Sequence, residues 1–83
     1  MTLILYSTSA CGRCDKLKSF LVKNDIAVDK RDVDINPNFK VAALMHSISA
    51  VPALVRDDGK VLTLKHIMTG EILNEKSILD FVK

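Results

Sequence analysis

The only two cysteines of this 83-residue chain, Cys11 and Cys14, are separated by Gly12 and Arg13. A short apolar run, Leu3-Ile4-Leu5-Tyr6, precedes them, and Cys14, Leu17, Phe20 and Leu21 then recur at helical spacing. A strand thus leads through Ser7-Thr8-Ser9-Ala10 into a helix with Cys11 at its mouth and Cys14 about one turn in. At that spacing the two side chains reach disulfide distance without distorting the backbone. The helix N-terminus turns unpaired N–H groups and positive dipole toward the Cys11 sulfur, stabilising an anion there by about 0.3–1 kcal/mol. That bias favours the thiolate, the form that attacks disulfides. Arg13 adds positive charge, so Gly12 and Arg13 are the candidate thiolate-tuning positions. Cys11, at the exposed end, is the expected nucleophile, and Cys14 the resolving thiol. The chemistry calls for no metal and no organic cofactor.

Two blander readings of the same residues stay open. Cys11 and Cys14 could form half of a zinc site with His46 and His66, although the histidine spacings match no compact finger. They could also be inert packing residues, which suits Cys14 but leaves the Cys11 spacing unexplained. Either would make the chain a non-catalytic metal-binding or scaffold domain.

The elements that must hold the pair follow from pattern. Ile26-Ala27-Val28 opens a second extended stretch ending near Asp32-Val33-Asp34. Asn36-Pro37 is a helix opening, with Asn36 as cap and Pro37 at the first helical position, where its missing N–H needs no partner. Phe39, Ala42, Ala43 and His46 continue that helix, and Ala50-Val51-Pro52 interrupts before Ala53-Leu54-Val55. Asp58-Gly59 reads as a two-residue hairpin turn into Val61-Leu62-Thr63-Leu64. Thr69-Gly70 is a break, and Asn74 caps a last helix with Ile78, Leu79 and Val82 inward. The order β-α-β-α-β-β-α predicts an α/β fold with a four-stranded mixed sheet flanked by three helices. Helical crossovers favour parallel pairing of the first three strands, and the hairpin makes the fourth antiparallel.

Eighty-three residues suit a single domain, residues 1–83. Twelve Lys and Arg against ten Asp and Glu leave a net charge of only +2, and the basic residues are scattered rather than clustered. A nucleic-acid groove is therefore not expected. No apolar run approaches the roughly 20 residues of a membrane span. Met1 to Tyr6 lacks the basic and long apolar regions of a signal peptide, so a cytoplasmic protein with reduced thiols is expected. Tyr6 reads as a packed aromatic, His46 as a surface or capping residue, and Met45 and Met68 as gap-filling or surface residues. Lys16 and Lys18 read as a solvated helix face, and His66 carries no assigned role.

Taken together, Ser7-Thr8-Ser9-Ala10-Cys11-Gly12-Arg13-Cys14, Arg31-Asp32-Val33-Asp34, Val51-Pro52, the hairpin and Thr69-Gly70 resemble the thioredoxin/glutaredoxin superfamily along the whole chain. The resemblance implies a thioredoxin fold in which Pro52 is cis and faces the cysteines. It implies a substrate-binding edge at Val51, Pro52, Thr69 and Gly70, where the Val51 backbone pairs with an extended partner segment. The activity implied is that of a monomeric dithiol–disulfide oxidoreductase acting on a disulfide-containing protein. Glutathione-using members carry a Lys before the first Cys, a Tyr before the second and Gly-Gly-Cys-Asp ahead of the last helix, all absent here. Thioredoxins carry Trp-Cys-Gly-Pro-Cys and a buried acid where this chain has Leu5. The nearest resemblance is to small glutaredoxin-like redoxins, reduced by thioredoxin reductase and serving ribonucleotide reductase, or to short archaeal thioredoxin-like proteins. Glutathione as electron donor is the alternative.

Overall fold

The computed structural model describes residues 3–82. Strand β1 (Leu3–Ser7) runs into helix α1 (Gly12–Lys23), then β2 (Asp29–Asp32), α2 (Pro37–Met45), β3 (Ala53–Arg56) and β4 (Val61–Leu62). A one-turn helix α3 (Leu64–Ile67), a small hairpin of β5 (Met68–Thr69) and β6 (Ile72–Leu73), and helix α4 (Glu75–Val82) complete the chain. The main sheet has the order β2-β1-β3-β4.

Side chains in a strand alternate between faces, and the core divides accordingly. Leu3, Leu5 and Leu54 point to one side and join Leu17 and Leu21 of α1, Ile67 and Met68, and Ile78 and Val82 of α4. Tyr6, Ala53 and Val55 point to the other and join Ala43 of α2 and Ile48. The register supports this division, with Leu5 opposite Leu54 and Tyr6 opposite Ala53. Tyr6 is thus the packed aromatic expected, 1% exposed and tilted against His46 with ring centroids 6.5 Å apart. Helix α2 buries only Ala43 fully and leaves Val41, Leu44 and Met45 exposed.

Strands β1 and β2 are parallel, as expected for a helical crossover, but β3 is antiparallel to β1. The expected parallel pairing of β3 is therefore wrong. The register gives the reason. β2 ends with Asp32 beside Ser7, and β3 starts with Ala53 beside Tyr6, so the chain leaves and rejoins the sheet at the same end. A nine-residue α2, about 13 Å long, carries it sideways from one edge across β1 rather than back along the strands.

Other boundaries shift for local reasons. The extended stretch starts late because α1 closes with the positive-φ residue Asp25 (φ 58°), after which the Ile26 N–H returns to the Leu21 carbonyl at 2.9 Å. This double-bonded helix end uses Ile26 as its hydrophobic clasp on the core. Ser47 (φ 59°) closes α2 in the same way, with Ile48 N–H on the Ala43 carbonyl at 3.0 Å. The β3–β4 turn is not the two-residue form expected. The Arg56 N–H bonds the Lys60 carbonyl and the Gly59 N–H bonds the Arg56 carbonyl, leaving a loop of Asp57, Asp58 and Gly59. Gly59 takes the positive φ (88°) that such a loop places last. β4 stops at Leu62 because Thr63 opens α3, so Leu64 and His66 belong to a helix. Asn74 starts α4 with its carbonyl, accepting from the Ile78 N–H at 3.0 Å. Its side chain turns back instead, accepting from the Thr69 hydroxyl and donating to the His66 carbonyl, both at 3.1 Å.

The segment between β1 and α1 is tied to β2. The Ser9 hydroxyl donates to Asp32 Oδ2 at 2.7 Å, while the Asp34 and Ile35 N–H groups donate to Oδ1 at 2.8 and 3.3 Å. The Ser9 hydrogen bond, with those N–H groups and the charge of Lys30, holds the Asp32 carboxyl below the usual carboxylate range against a smaller opposing effect of desolvation.

Two outcomes are expected. Leu17→Ala, a truncation at a fully buried position beneath Cys14, should lower stability by about 2–5 kcal/mol in urea denaturation. Asp32 has a depressed folded pKa, so its stabilisation is present above the unfolded carboxylate pKa of about 4 and disappears as pH falls through the folded value. Asp32→Asn should therefore destabilise the protein at pH 7, with the deficit shrinking toward pH 3. A deficit independent of pH would contradict this account.

Candidate active site

Cys11 is the N-cap of α1, with extended backbone (φ −135°, ψ 100°), and its sulfur accepts the Cys14 N–H at 3.1 Å. It occupies the place where a Ser or Asp oxygen would satisfy the same orphan donor of the first turn. Cys11 and Cys14 are joined as a disulfide, with Cα atoms 5.2 Å apart. The two sulfurs are not equivalent. Cys11 is half-buried at the surface, whereas Cys14 is 1% exposed on the α1 stripe that continues into Leu17 and Leu21.

Gly12 and Arg13 stand exposed in the first turn. The Arg13 guanidinium lies 3.9 Å from Glu71 Oε1, and Lys16 Nζ lies 3.8 Å from Oε2. Lys16 also donates to the Glu71 carbonyl at 3.0 Å. Arg13 therefore shares its charge with a carboxylate rather than facing the sulfurs alone, and Lys16 pins the β5–β6 turn to α1. Exposed pairs of this kind are worth about 0–1 kcal/mol.

The Val51–Pro52 peptide bond is cis, as the resemblance implied, and Pro52 is buried while Val51 is half-buried. Two grooves flank this loop. One, of about 520 Å³, is lined by Arg13, Ala50, Thr63, Lys65 and Gly70 among others. The other, of about 300 Å³, includes Thr8, Lys40, Leu44 and Val51. Of the expected substrate edge, Gly70 thus shares the first groove with Arg13 and adopts a positive φ of 61° at the β5–β6 turn. Val51 lines the second groove. Thr69 spends its hydroxyl on Asn74 within the hairpin.

His46 lies against Tyr6 and His66 sits in α3. Among the described residues no cluster of three or more His, Cys, Asp or Glu side chains could hold a metal ion. No helix among them is long and apolar enough to cross a membrane.

Several functional neighbours were not legible from spacing. Glu71 meets Arg13 only because the β5–β6 hairpin folds back on α1. The Ser9–Asp32 hydrogen bond spans 23 residues, and only the parallel pairing of β1 and β2 brings it together. Ser7 is fully buried at the end of β1, on the face of Leu3 and Leu5, and its hydroxyl has no protein partner among the described residues.

Comparison with known proteins agrees with this geometry. The glutaredoxin family model matches residues 3–61, which include both cysteines and Pro52. A protein of Mycobacterium tuberculosis named as a putative glutaredoxin is 40% identical over 65 residues, covering 74% of this chain and 75% of that one. The glutaredoxin-like protein NrdH of Lactococcus lactis is 30% identical over 54 residues, covering 65% and 75%. Among solved structures, a variant of the thioredoxin-like protein BC3987 superposes with a TM-score of 0.78 at 20% identity, over 98% of this chain and 99% of that one. The glutaredoxin-like NrdH-redoxin of Escherichia coli gives 0.67 at 17% identity, over 76% and 82%. At those identities the structures speak for the fold, and the family match carries the rest: the chain belongs to the glutaredoxin family of the thioredoxin superfamily, is similar to NrdH-like redoxins, and has a disulfide between Cys11 and Cys14.

Proposed function

We propose that the protein is a dithiol–disulfide oxidoreductase that reduces protein disulfides. The observation that carries this reading is the asymmetry of the pair, with Cys11 at the helix mouth and Cys14 buried one turn below. A reduced Cys11 thiolate attacks one sulfur of a partner disulfide, forming a mixed disulfide and expelling the partner's other sulfur as a thiolate. Cys14, as thiolate, then attacks the Cys11 sulfur, closing the intramolecular disulfide and releasing the second partner thiolate. Two electrons pass to the partner, whose thiolates take up protons from solvent.

The helix end is the structural source of Cys11 reactivity. Its N–H groups and dipole stabilise negative charge on the sulfur both as attacking thiolate and as leaving group. Gly12, at the first helical position beside Cys11, has open space where a side chain would stand. Arg13 contributes a positive charge that Glu71 partly offsets. The backbones of half-buried Val51 and exposed Gly70 are the edges along which an extended partner segment docks. Electron supply from thioredoxin reductase and delivery to ribonucleotide reductase are the partners the redoxin resemblance favours, in a reducing compartment such as the cytoplasm.

A glutathione-linked function is the second reading, favoured by Lys40 and Thr8 beside Val51 in the smaller groove, where a carboxylate of a short peptide would fit. The cysteine variants separate the two. Cys11→Ser should abolish turnover with a protein disulfide. Cys14→Ser should stop multiple turnover and accumulate a covalent mixed disulfide with the partner, visible on non-reducing gels. Sustained turnover by Cys14→Ser with glutathione would transfer the protein to the second reading, and multiple turnover by Cys11→Ser would remove both.

A further inference from the structure

The larger groove beside the disulfide has a charge character that the sequence, with its scattered basic residues, does not advertise. Its two charged lining side chains, Arg13 and Lys65, are both cations. Ser47, Ser49 and Thr63 add hydroxyls to the same wall. Thr63 caps α3 without using its side chain for the cap, so its hydroxyl remains available. Lys65 is exposed and has no acidic partner within ion-pair distance among the described residues. At the other end of the groove, Arg13 and Lys16 already receive a carboxylate, that of Glu71.

These features belong together because of where the elements meet. Arg13 lies between the two cysteines, and the residues from Ser47 to Ala50 immediately precede the cis bond at Val51–Pro52. The groove thus has Arg13, the residue before Cys14, on one wall and Lys65 of α3 on another. An extended chain attacked at its cysteine by Cys11 would lay its neighbouring residues along that wall.

Resting on the dithiol reading above, we propose that this groove selects partner segments carrying a carboxylate beside the reducible cysteine, with Lys65 as the specificity-determining residue and Arg13 as the second cation. A hydrogen-bonding wall of hydroxyls and two cations is complementary to an anion and repels a basic flank. The carboxylate can be an acidic side chain or a free chain end. Because both cations are exposed, the selection acts through a screened field and is of moderate size, about five- to tenfold.

The test uses four disulfide-cyclised peptides of one length, reduced by the intact protein under steady turnover with a chemical dithiol as donor. Three have blocked ends and carry Glu, Gln or Lys beside the cysteine, and the fourth carries Gln with a free C-terminal carboxylate. At low ionic strength kcat/KM should fall in the order Glu, Gln, Lys, with about tenfold between the extremes, and the values should converge in about 0.5 M salt. Lys65→Gln should narrow the Glu-to-Lys ratio and Lys65→Glu should reverse it. Lys23→Glu makes the same change in net charge about 18 Å along α1 from Cys11 and should preserve the ratio. A gain confined to the free-end peptide assigns the groove to a chain terminus, and a gain with the Glu peptide assigns it to an acidic side chain. Equal rates for all four peptides overturn the proposal alone, as does a ratio that survives Lys65→Glu or collapses equally in Lys23→Glu. Failure to reduce any of the peptides overturns the dithiol reading and the proposal with it.

Discussion

The packing of α1 against β1 is the contact on which the remaining geometry depends. Leu17 and Leu21 on the helix and Leu3 and Leu5 on the strand belong to one buried cluster, and the short Thr8–Ala10 link joins the two elements. Burying that stripe fixes the rotation of the helix about its own axis. Cys14, three residues before Leu17 on the same stripe, must then be inside, and Cys11 at the helix mouth must be near the surface. Hydrophobic burial of about 1.5–3 kcal/mol per large side chain far exceeds the cost of setting one sulfur orientation, so the asymmetry of the pair follows from the core.

Electrostatics around the disulfide are weaker and more distributed. The helix end supplies a fixed partial charge that travels with the fold. The side-chain charges are exposed, and Glu71 sits between Arg13 and Lys16 at distances of 3.9 and 3.8 Å. Such contacts change little in stability. Their consequence lies in the potential at the mouth of the groove, where Arg13, partly compensated at one end, and Lys65 at the other, with no acidic partner among the described residues, leave a graded field.

The Ser9–Asp32 contact and the hairpin contacts act as braces on two sides of the site. Asp32, at the end of an edge strand, holds the β1–α1 segment through the Ser9 hydroxyl. The Asn74 amide gathers Thr69 and the His66 carbonyl, and so fixes the hairpin that delivers Gly70 and Glu71. Polar residues that look interchangeable in a loop therefore hold specific partners, each bond contributing about 0.5–1.5 kcal/mol.

Local chemistry was largely legible in the chain itself. The helical period from Cys14 to Leu21 set the depth of the two sulfurs, Asn36 and Pro37 opened α2 as their conformational limits require, and Asp58-Gly59 located a hairpin. These features depend on a few neighbouring residues, and their physics is complete within one or two turns. The direction of β3, the four-residue α3, the Ser9–Asp32 bond and the pairing of Glu71 with Arg13 and Lys16 depend on residues far apart in sequence. Periodicity cannot say whether α2 carries the chain along the sheet or across it, because both paths bury the same apolar residues. Only the assembled sheet, with β3 entering beside Tyr6, decides that path and with it which side chains surround the disulfide.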